Sequence, residues 1–172
     1  MTDAISRFRE ASEAHDVDAA LSTLAGDVVI HSPLTDRAKF TGHAEARALF
    51  EVVYDKLADL KYHTTIGDGG TRALVGVATV GGQRIDSTYL ITVDDHDKIS
   101  ELTLFVRPLP GLTALMAALG PPMARAYGRS RFTAGLLRAM TAPLVFATKA
   151  GDKTGIPLAL PAKGSPARRV HP

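Results

Sequence analysis

The spacing of hydrophobic positions changes several times along the chain, and each spacing predicts a different element. Apolar residues at helical spacing predict a first helix over residues 3–14 and a short second helix with Asp16 at its N-cap. A buried strand is predicted over 27–32. From Gly42 onward a long helix is predicted, because apolar residues recur every three or four positions. Its apolar face comprises Ala46, Leu49, Phe50, Val53, Leu57 and Leu60.

Four β-rich runs follow the long helix, at residues 60–67, 72–80, 84–93 and 98–106. Short turns rich in glycine and aspartate join them, and Gly81-Gly82 is a typical signal for a tight hairpin. The runs therefore predict an antiparallel meander. A sheet with a long helix across one face and two short helices before it indicates an α+β fold.

The pattern changes again after Pro108. A short apolar helix is predicted over 111–120, ending at Gly120-Pro121-Pro122, and a basic amphipathic helical stretch follows, which Pro143 should break or kink. The last residues are rich in Gly, Pro and Lys and predict a tail with little structure of its own. The expected organisation is a body (1–120), a helical extension (121–150) and a tail (151–172).

Charge divides the 172 residues in the same place. Residues 1–120 contain 11 lysines and arginines against 17 aspartates and glutamates, whereas residues 121–172 contain nine against one. The basic stretch 125–149 is expected to pack on the acidic body, and the alternative is that it lies on an anionic membrane surface. Nucleic acid is not expected as a partner, because this stretch offers few aromatic platforms for bases.

Composition also limits the chemistry and the location. The chain has no cysteine, which excludes disulfides, thiolate metal sites and a cysteine nucleophile. Its N-terminus lacks the apolar stretch of a signal peptide, and no apolar run approaches the roughly 18 residues of a membrane span. A cytoplasmic protein is expected, peripheral to a membrane if the basic stretch binds lipid.

Three stretches resemble the nuclear-transport-factor-2-like superfamily, in particular its SnoaL-like bacterial members: EAHDVDAALSTLAGDVVIHSP, FTGHAEARALF and VDDHDKISELTLFVRPL. The resemblance covers residues 1–120. It implies a cone-shaped α+β barrel, in which a curved antiparallel sheet packs on the long helix around a pocket, here with extra C-terminal helices. Ketosteroid isomerases, polyketide cyclases and limonene-epoxide hydrolases share this fold, so the fold alone fixes no reaction.

The resemblance also implies where known catalytic groups would stand. The general-base carboxylate of ketosteroid isomerases falls at Ser32, their oxyanion-hole tyrosine at Phe8, and their second oxyanion donor at Tyr89. A serine hydroxyl cannot replace a carboxylate that abstracts a carbon-bound proton near neutral pH. Arg84-Ile85-Asp86 looks like the Arg-x-Asp pair of epoxide hydrolases, but it lies one strand later and Leu104 stands at the last aspartate. Neither chemistry is expected in its usual form.

His31 and Ser32 are consecutive in a strand, so their side chains should leave on opposite faces and form no catalytic pair. If Ser32 faces the pocket, His31 is expected to be a strand-end histidine on the other face. The alternative is a pocket histidine, since imidazole is the side chain that titrates near neutrality unaided. His31 and Tyr89 are the candidate acid or base groups.

Period-two alternation assigns a pocket to the concave face of the sheet. Gly76 and Ala78 are small and should leave volume unfilled there, unless the long helix packs closer. The predicted pocket residues are Phe8, Ser32, Leu74, Gly76, Ala78, Tyr89, Ile91, Leu102 and Leu104. Aliphatic walls with two hydroxyls suit a small apolar molecule bearing one carbonyl or hydroxyl.

Neither a metal nor a cofactor is expected, because the histidines are dispersed and no phosphate-loop spacing occurs. The convex sheet face is too apolar to stay bare, so a second subunit or the C-terminal helices should cover it, and a homodimer is expected. Three functions stay open: binding of an apolar ligand, a cyclase- or isomerase-type enzyme for polyketide-, steroid- or terpenoid-like substrates, and a non-catalytic dimerisation module whose basic tail binds a partner or a membrane.

Overall fold

The computed structural model describes residues 3–160, except for the side chain of Ala159. The helices are α1 (Ala4–Glu13), α2 (Val17–Ser22), α3 (Gly42–Lys56), α4 (Leu109–Ala126), α5 (Arg131–Ala150) and α6 (Ile156–Ala159), with one π-helical turn, Gly151–Gly155, between the last two. The strands are β1 (Leu24–His31), β2 (Lys39–Thr41), β3 (Leu57–Ile66), β4 (Thr71–Val80), β5 (Gln83–Val93) and β6 (Ile99–Arg107). Residues 161–172 of the predicted tail lie outside the described residues.

The strands form one curved sheet in the order β2-β1-β6-β5-β4-β3, which does not close into a barrel. The α+β class and the antiparallel meander from β3 to β6 are confirmed. One pair differs from the prediction, because β1 runs parallel to β6. No hairpin links these two strands; the chain passes through α3 and the whole meander first, which permits the parallel direction.

Helix α1 covers one end of the concave sheet face. The Asp3 carboxylate at its N-cap pairs with Arg72, and the backbone N–H of Ala4 donates to Asp97 Oδ1 at 3.1 Å. At the other end of the helix, Glu13 accepts a hydrogen bond from the backbone N–H of Tyr62 at 2.7 Å. These contacts hold α1 across the sheet from the β5–β6 turn to β3.

Helix α3 ends four residues earlier than its apolar pattern predicts. Leu57 and Leu60 belong to β3, although they were predicted to extend the helix face. A register shift between Ala58 and Lys61 accommodates the change, and Asp59 has a φ of 55° there. Leu57 and Leu60 therefore both face inward, although residues three positions apart on a regular strand face opposite sides. Their spacing is the same as in the three- to four-residue repeat of a helix.

The predicted helix end at Gly120 is wrong, because α4 continues through Pro121 and Pro122. A proline inside a helix removes a backbone hydrogen bond. The apolar face of α4 nevertheless continues from Leu115 and Leu119 to Met123, so burial on both sides of the prolines maintains the helix. Helix α5 likewise continues through Pro143.

Helix α4 lies on the concave side of the sheet. A Cβ at Gly111 of α4 would stand 2.4 Å from Cγ2 of Ile85, so the glycine permits a close approach. Helix α5 packs on α4, and within the described residues its cations form no ion pair with the acidic body. Leu90 and Phe105 on the convex face remain exposed. The homodimer through that face stays a prediction, which sedimentation of the purified protein would test.

Candidate functional site

A cavity of about 230 Å³ lies between the concave sheet face, α3 and α4. Residues 32–35 and Ala38, from the loop after β1, border it as well. Its walls are mainly aliphatic and aromatic, with Leu49 and Val53 from α3 and Leu119 and Met123 from α4. None of the described residues that line the cavity is acidic. The cavity therefore offers apolar contacts and hydroxyl groups, but no carboxylate.

Four of the predicted pocket residues line the cavity: Ser32, Ala78, Tyr89 and Leu104. The other five are buried in the core without lining it: Phe8, Leu74, Gly76, Ile91 and Leu102. The structure therefore buries these five residues but does not bring them to the cavity. The four that belong to the sheet lie toward the end that α1 covers, where Phe8 of that helix packs into the core.

Gly76 illustrates why a small residue need not leave a void. A Cβ at this position would stand 2.6 Å from the ring of Tyr62 and 2.7 Å from the carbonyl oxygen of Lys61. The glycine is therefore required for the close approach of β3, and the tyrosine ring occupies the volume that a side chain would fill. Ala78, two residues further along β4, does border the cavity.

His31 and Ser32 both border the cavity, and each has one hydrogen-bond partner within the protein. The imidazole Nε2 of His31 lies 2.7 Å from Oε1 of Glu101, an exposed residue of the neighbouring strand β6. The hydroxyl of Ser32 accepts a hydrogen bond from the backbone N–H of Leu34 at 3.2 Å, which stabilises the turn after β1. The geometry thus gives Nε2 of His31 a partner on β6, and the absence of a catalytic pair stays a prediction.

Tyr89 is the most informative polar group of the cavity. Its ring packs edge-on against Phe8, with 5.9 Å between the ring centroids, and contacts Tyr62. Burial raises the pKa of Tyr89 well above its usual value, so the phenol is protonated at neutral pH. Within the described residues its hydroxyl has no hydrogen-bond partner, yet the side chain retains accessible surface, which faces the cavity. Tyr89 is therefore a neutral donor available to a ligand.

Ser87 lies two positions before Tyr89 on β5 and faces the same way. It lines the cavity, and its hydroxyl also has no protein hydrogen-bond partner in the described part of the chain. Consecutive inward residues of a strand are about 7 Å apart. Strand β5 thus presents two unpaired hydroxyls along one wall. Ser87 is not among the predicted pocket residues, although alternation from Tyr89 places both side chains on the same face of the strand.

Tyr54 and Tyr62 are cavity residues that sequence reasoning missed. The hydroxyl of Tyr54 lies 2.9 Å from that of Ser12 in α1, and both side chains are buried. Burial raises the pKa of Tyr54 to about 12, and burial also raises that of Tyr62 well above its usual value. The spacing of Tyr54 four residues after Phe50 was an available signal, because it continues the inward face of α3.

The site provides neutral hydroxyl donors in an apolar cavity. Such groups hydrogen-bond a carbonyl or hydroxyl oxygen, whereas abstraction of a carbon-bound proton needs a basic group of suitable pKa. Within residues 3–160 no cluster of three potential metal-ligating side chains occurs. The polar groups therefore fit recognition of one oxygen atom on an otherwise apolar molecule.

A family model described as the SnoaL-like domain matches residues 5–102, which is more than half of the chain. The matched region includes α1 to β5 and the beginning of β6, and thus Ser87 and Tyr89. No curated protein matches the sequence significantly.

Solved structures with the same fold differ in their described activities. An uncharacterised protein with a cystatin-like fold from Silicibacter pomeroyi is 25% identical with a TM-score of 0.65, over 68% of this chain and 82% of that one. A steroid delta-isomerase from Pseudomonas aeruginosa is 24% identical with a TM-score of 0.62, over 73% and 89%. An epoxide hydrolase/cyclase-like enzyme of pyran ring formation in the polyether salinomycin is 16% identical with a TM-score of 0.53, over 60% and 88%. At these identities the likeness to the two enzymes shows the fold alone.

Proposed function

The chain belongs to the SnoaL-like domain family, and on that premise we propose that its cavity binds a small apolar molecule bearing one carbonyl or hydroxyl group. The fold is shared with isomerases and cyclases, so its concave face is a reasonable place for a ligand. The apolar lining would supply most of the affinity, and the hydroxyls of β5 would orient the ligand.

The observation that carries this proposal is the unpaired hydroxyl of Tyr89. Ser12 is the partner of Tyr54, but residues 3–160 offer no equivalent partner to Tyr89. The hydroxyl of Tyr89 is not sealed in the core, and its side chain lines the cavity, where a ligand can reach it. A ligand oxygen in the cavity would complete the hydrogen bonding.

The cavity volume limits the size of the ligand. An apolar protein cavity of about 150 Å³ accommodates benzene. A volume of about 230 Å³ suits a molecule of roughly one and a half times that size, such as a monoterpenoid or a substituted aromatic ring. A four-ring steroid would protrude from the mouth or require the walls to move.

A second candidate is an enzyme of the cyclase or isomerase type. The neutral phenol of Tyr89 could polarise a substrate carbonyl, since its raised pKa keeps the proton on the oxygen. The lack of an acidic residue among the described lining residues weighs against proton abstraction by a carboxylate. Product analysis after prolonged incubation with a bound ketone separates this candidate from simple binding.

The test compares two probes of similar shape, the monoterpenoid ketone carvone and the hydrocarbon limonene, by titration calorimetry. One neutral hydrogen bond of about 1 kcal/mol should make carvone bind about fivefold more tightly to the wild type. Tyr89→Phe should remove that preference while leaving limonene binding unchanged. Tyr127→Phe, at a half-exposed tyrosine outside the cavity, is the matched control. Failure of both probes to bind, or a preference that survives in Tyr89→Phe, would contradict the proposal.

A further inference from the structure

Helix α5 has an unusual distribution of apolar residues, because its outward side is apolar as well as its packed side. The inward side packs on α4, and the hydroxyl of Thr148 lies 2.8 Å from that of Thr113 in α4. The outward side carries an apolar strip, which we define as Phe132, Leu136, Met140, Pro143 and Phe146. Phe132 is 81% exposed, Met140 65% and Phe146 76%. At 100° per residue these side chains fall within one third of the helix circumference.

A row of cations borders the apolar strip along one edge. Arg131, Arg138 and Lys149 project within about 20° of one another around the helix axis. Arg125 and Arg129 precede the helix, and residues 131–150 contain no acidic side chain. None of these five cations forms an ion pair with another described residue. The edge therefore carries positive charge that the described part of the protein does not neutralise.

We propose that α5 docks in the plane of an anionic membrane surface. An interfacial helix of this kind inserts its apolar side about 5–10 Å into the boundary between headgroups and acyl chains, while cations at its edge contact anionic headgroups. The apolar strip and the cationic edge of α5 meet both requirements. Within the described residues no helix is long and apolar enough to cross a membrane.

Charge favours a membrane over a second copy of the chain as the occupant. Antiparallel two-fold packing of α5 on another α5 would set cationic edge against cationic edge, and like charges in contact oppose association. An anionic bilayer instead attracts the edge without requiring a complementary protein shape. The body has a net charge of −6, so an anionic surface repels it and favours the orientation in which α5 faces the membrane.

Docking through α5 would also place the cavity near the bilayer, a consequence that rests on the proposed function. Helix α4 is shared by both sites, because Leu119 and Met123 line the cavity and α5 packs on the same helix. Packed helices have axes about 8–10 Å apart. The bilayer could then supply an apolar ligand to the mouth, but membrane binding itself requires no ligand.

Vesicle flotation of the full-length protein tests the proposal without any cavity ligand. Vesicles of phosphatidylcholine alone are compared with vesicles that also contain phosphatidylglycerol. The wild type should bind the anionic vesicles at least about tenfold more strongly, and high salt should weaken that binding. A failure of the ligand titration would leave this result unaffected, so the two proposals can fail separately.

Two variants separate the apolar and the cationic contributions. Phe132→Ser with Phe146→Ser should abolish binding to both kinds of vesicle, and Arg131→Gln with Arg138→Gln and Lys149→Gln should abolish the preference for anionic lipid. Ile66→Ser, at an exposed apolar residue of β3, is the control and should float like the wild type. Circular dichroism verifies that each variant is folded.

The proposal is overturned if the wild type does not float with anionic vesicles, or if the Phe132 and Phe146 variant floats normally. It is also overturned if light scattering finds a dimer that this variant converts to a monomer, because a second copy would then cover the apolar strip.

Discussion

Leu102 and Leu104 stand two positions apart on β6 and face the same way, yet they have different surroundings. Leu102 is fully buried beside Ile91 at the end of the sheet that α1 covers. Leu104 pairs with Tyr89 and borders the cavity. The sheet face is continuous between them, so the change comes from the layer above it. Under α1, side chains fill the space between the helix and the sheet. Under α3, α4 and the loop after β1, part of that space stays open and forms the cavity.

Truncation of each leucine to alanine should give the largest difference in stability between the two regions. Leu102→Ala should lower the free energy of unfolding by about 3–5 kcal/mol, because it opens a new cavity in a filled region. Leu104→Ala should cost about 1–2 kcal/mol, since its side chain already borders free space. Urea unfolding measures both. Equal losses would mean that the two ends of the sheet are packed alike.

Enlarging a side chain in each of the two regions should give a smaller difference in stability than the leucine truncations. Gly76→Ala should cost about 1–3 kcal/mol, because the new Cβ would stand 2.6 Å from the ring of Tyr62. Ala78→Val, on the same strand, grows into the cavity and should cost about 1 kcal/mol or less. Thermal unfolding measures the stability, and reduced uptake of limonene by Ala78→Val would verify that the added methyl groups occupy cavity volume. A stability loss at Ala78→Val as large as that at Gly76→Ala contradicts this explanation.

Removal of one tyrosine hydroxyl, at Tyr54 or at Tyr89, should give the smallest difference in stability. Tyr54→Phe removes the buried hydrogen bond between Tyr54 and Ser12 and should cost about 1 kcal/mol. Tyr89→Phe removes a hydroxyl that has no protein partner among the described residues, so the change should be about 0.5 kcal/mol or less. Chemical unfolding at neutral pH measures both, and a clear loss at Tyr89→Phe would reveal a partner for its hydroxyl.

The stability of the protein at alkaline pH gives a second test of the burial of the Tyr54 hydroxyl. Burial raises the pKa of Tyr54 to about 12 in the folded protein, against about 10 when unfolded. The stability from this protonated phenol is complete below about pH 10 and is lost as pH rises toward 12, because the unfolded chain releases its proton first. Unfolding at about pH 9 and about pH 11 should therefore show a smaller loss in Tyr54→Phe than in the wild type. An equal loss in both proteins would contradict the assignment.

The elements and their inward faces were predictable because they depend on local spacing. Alternation along β5 gave the inward orientation of Tyr89, and Asp16 caps α2 as predicted, accepting from the backbone N–H of Ala19 at 2.9 Å. The errors occurred where two local signals conflict or coincide. Leu57 and Leu60 fit a helix repeat but lie on a bulged strand, and Pro121 predicts a helix end that packing overrides.

The amino-acid sequence was enough to establish the α+β class, the meander and the division of charge. The folded structure was needed to show which inward residues line a cavity, that Tyr54 pairs with Ser12 whereas Tyr89 has no hydrogen-bond partner among residues 3–160, and that α5 turns an apolar side outward. The reason is physical: periodicity is set by neighbouring residues, whereas a cavity or an exposed face depends on how distant elements meet.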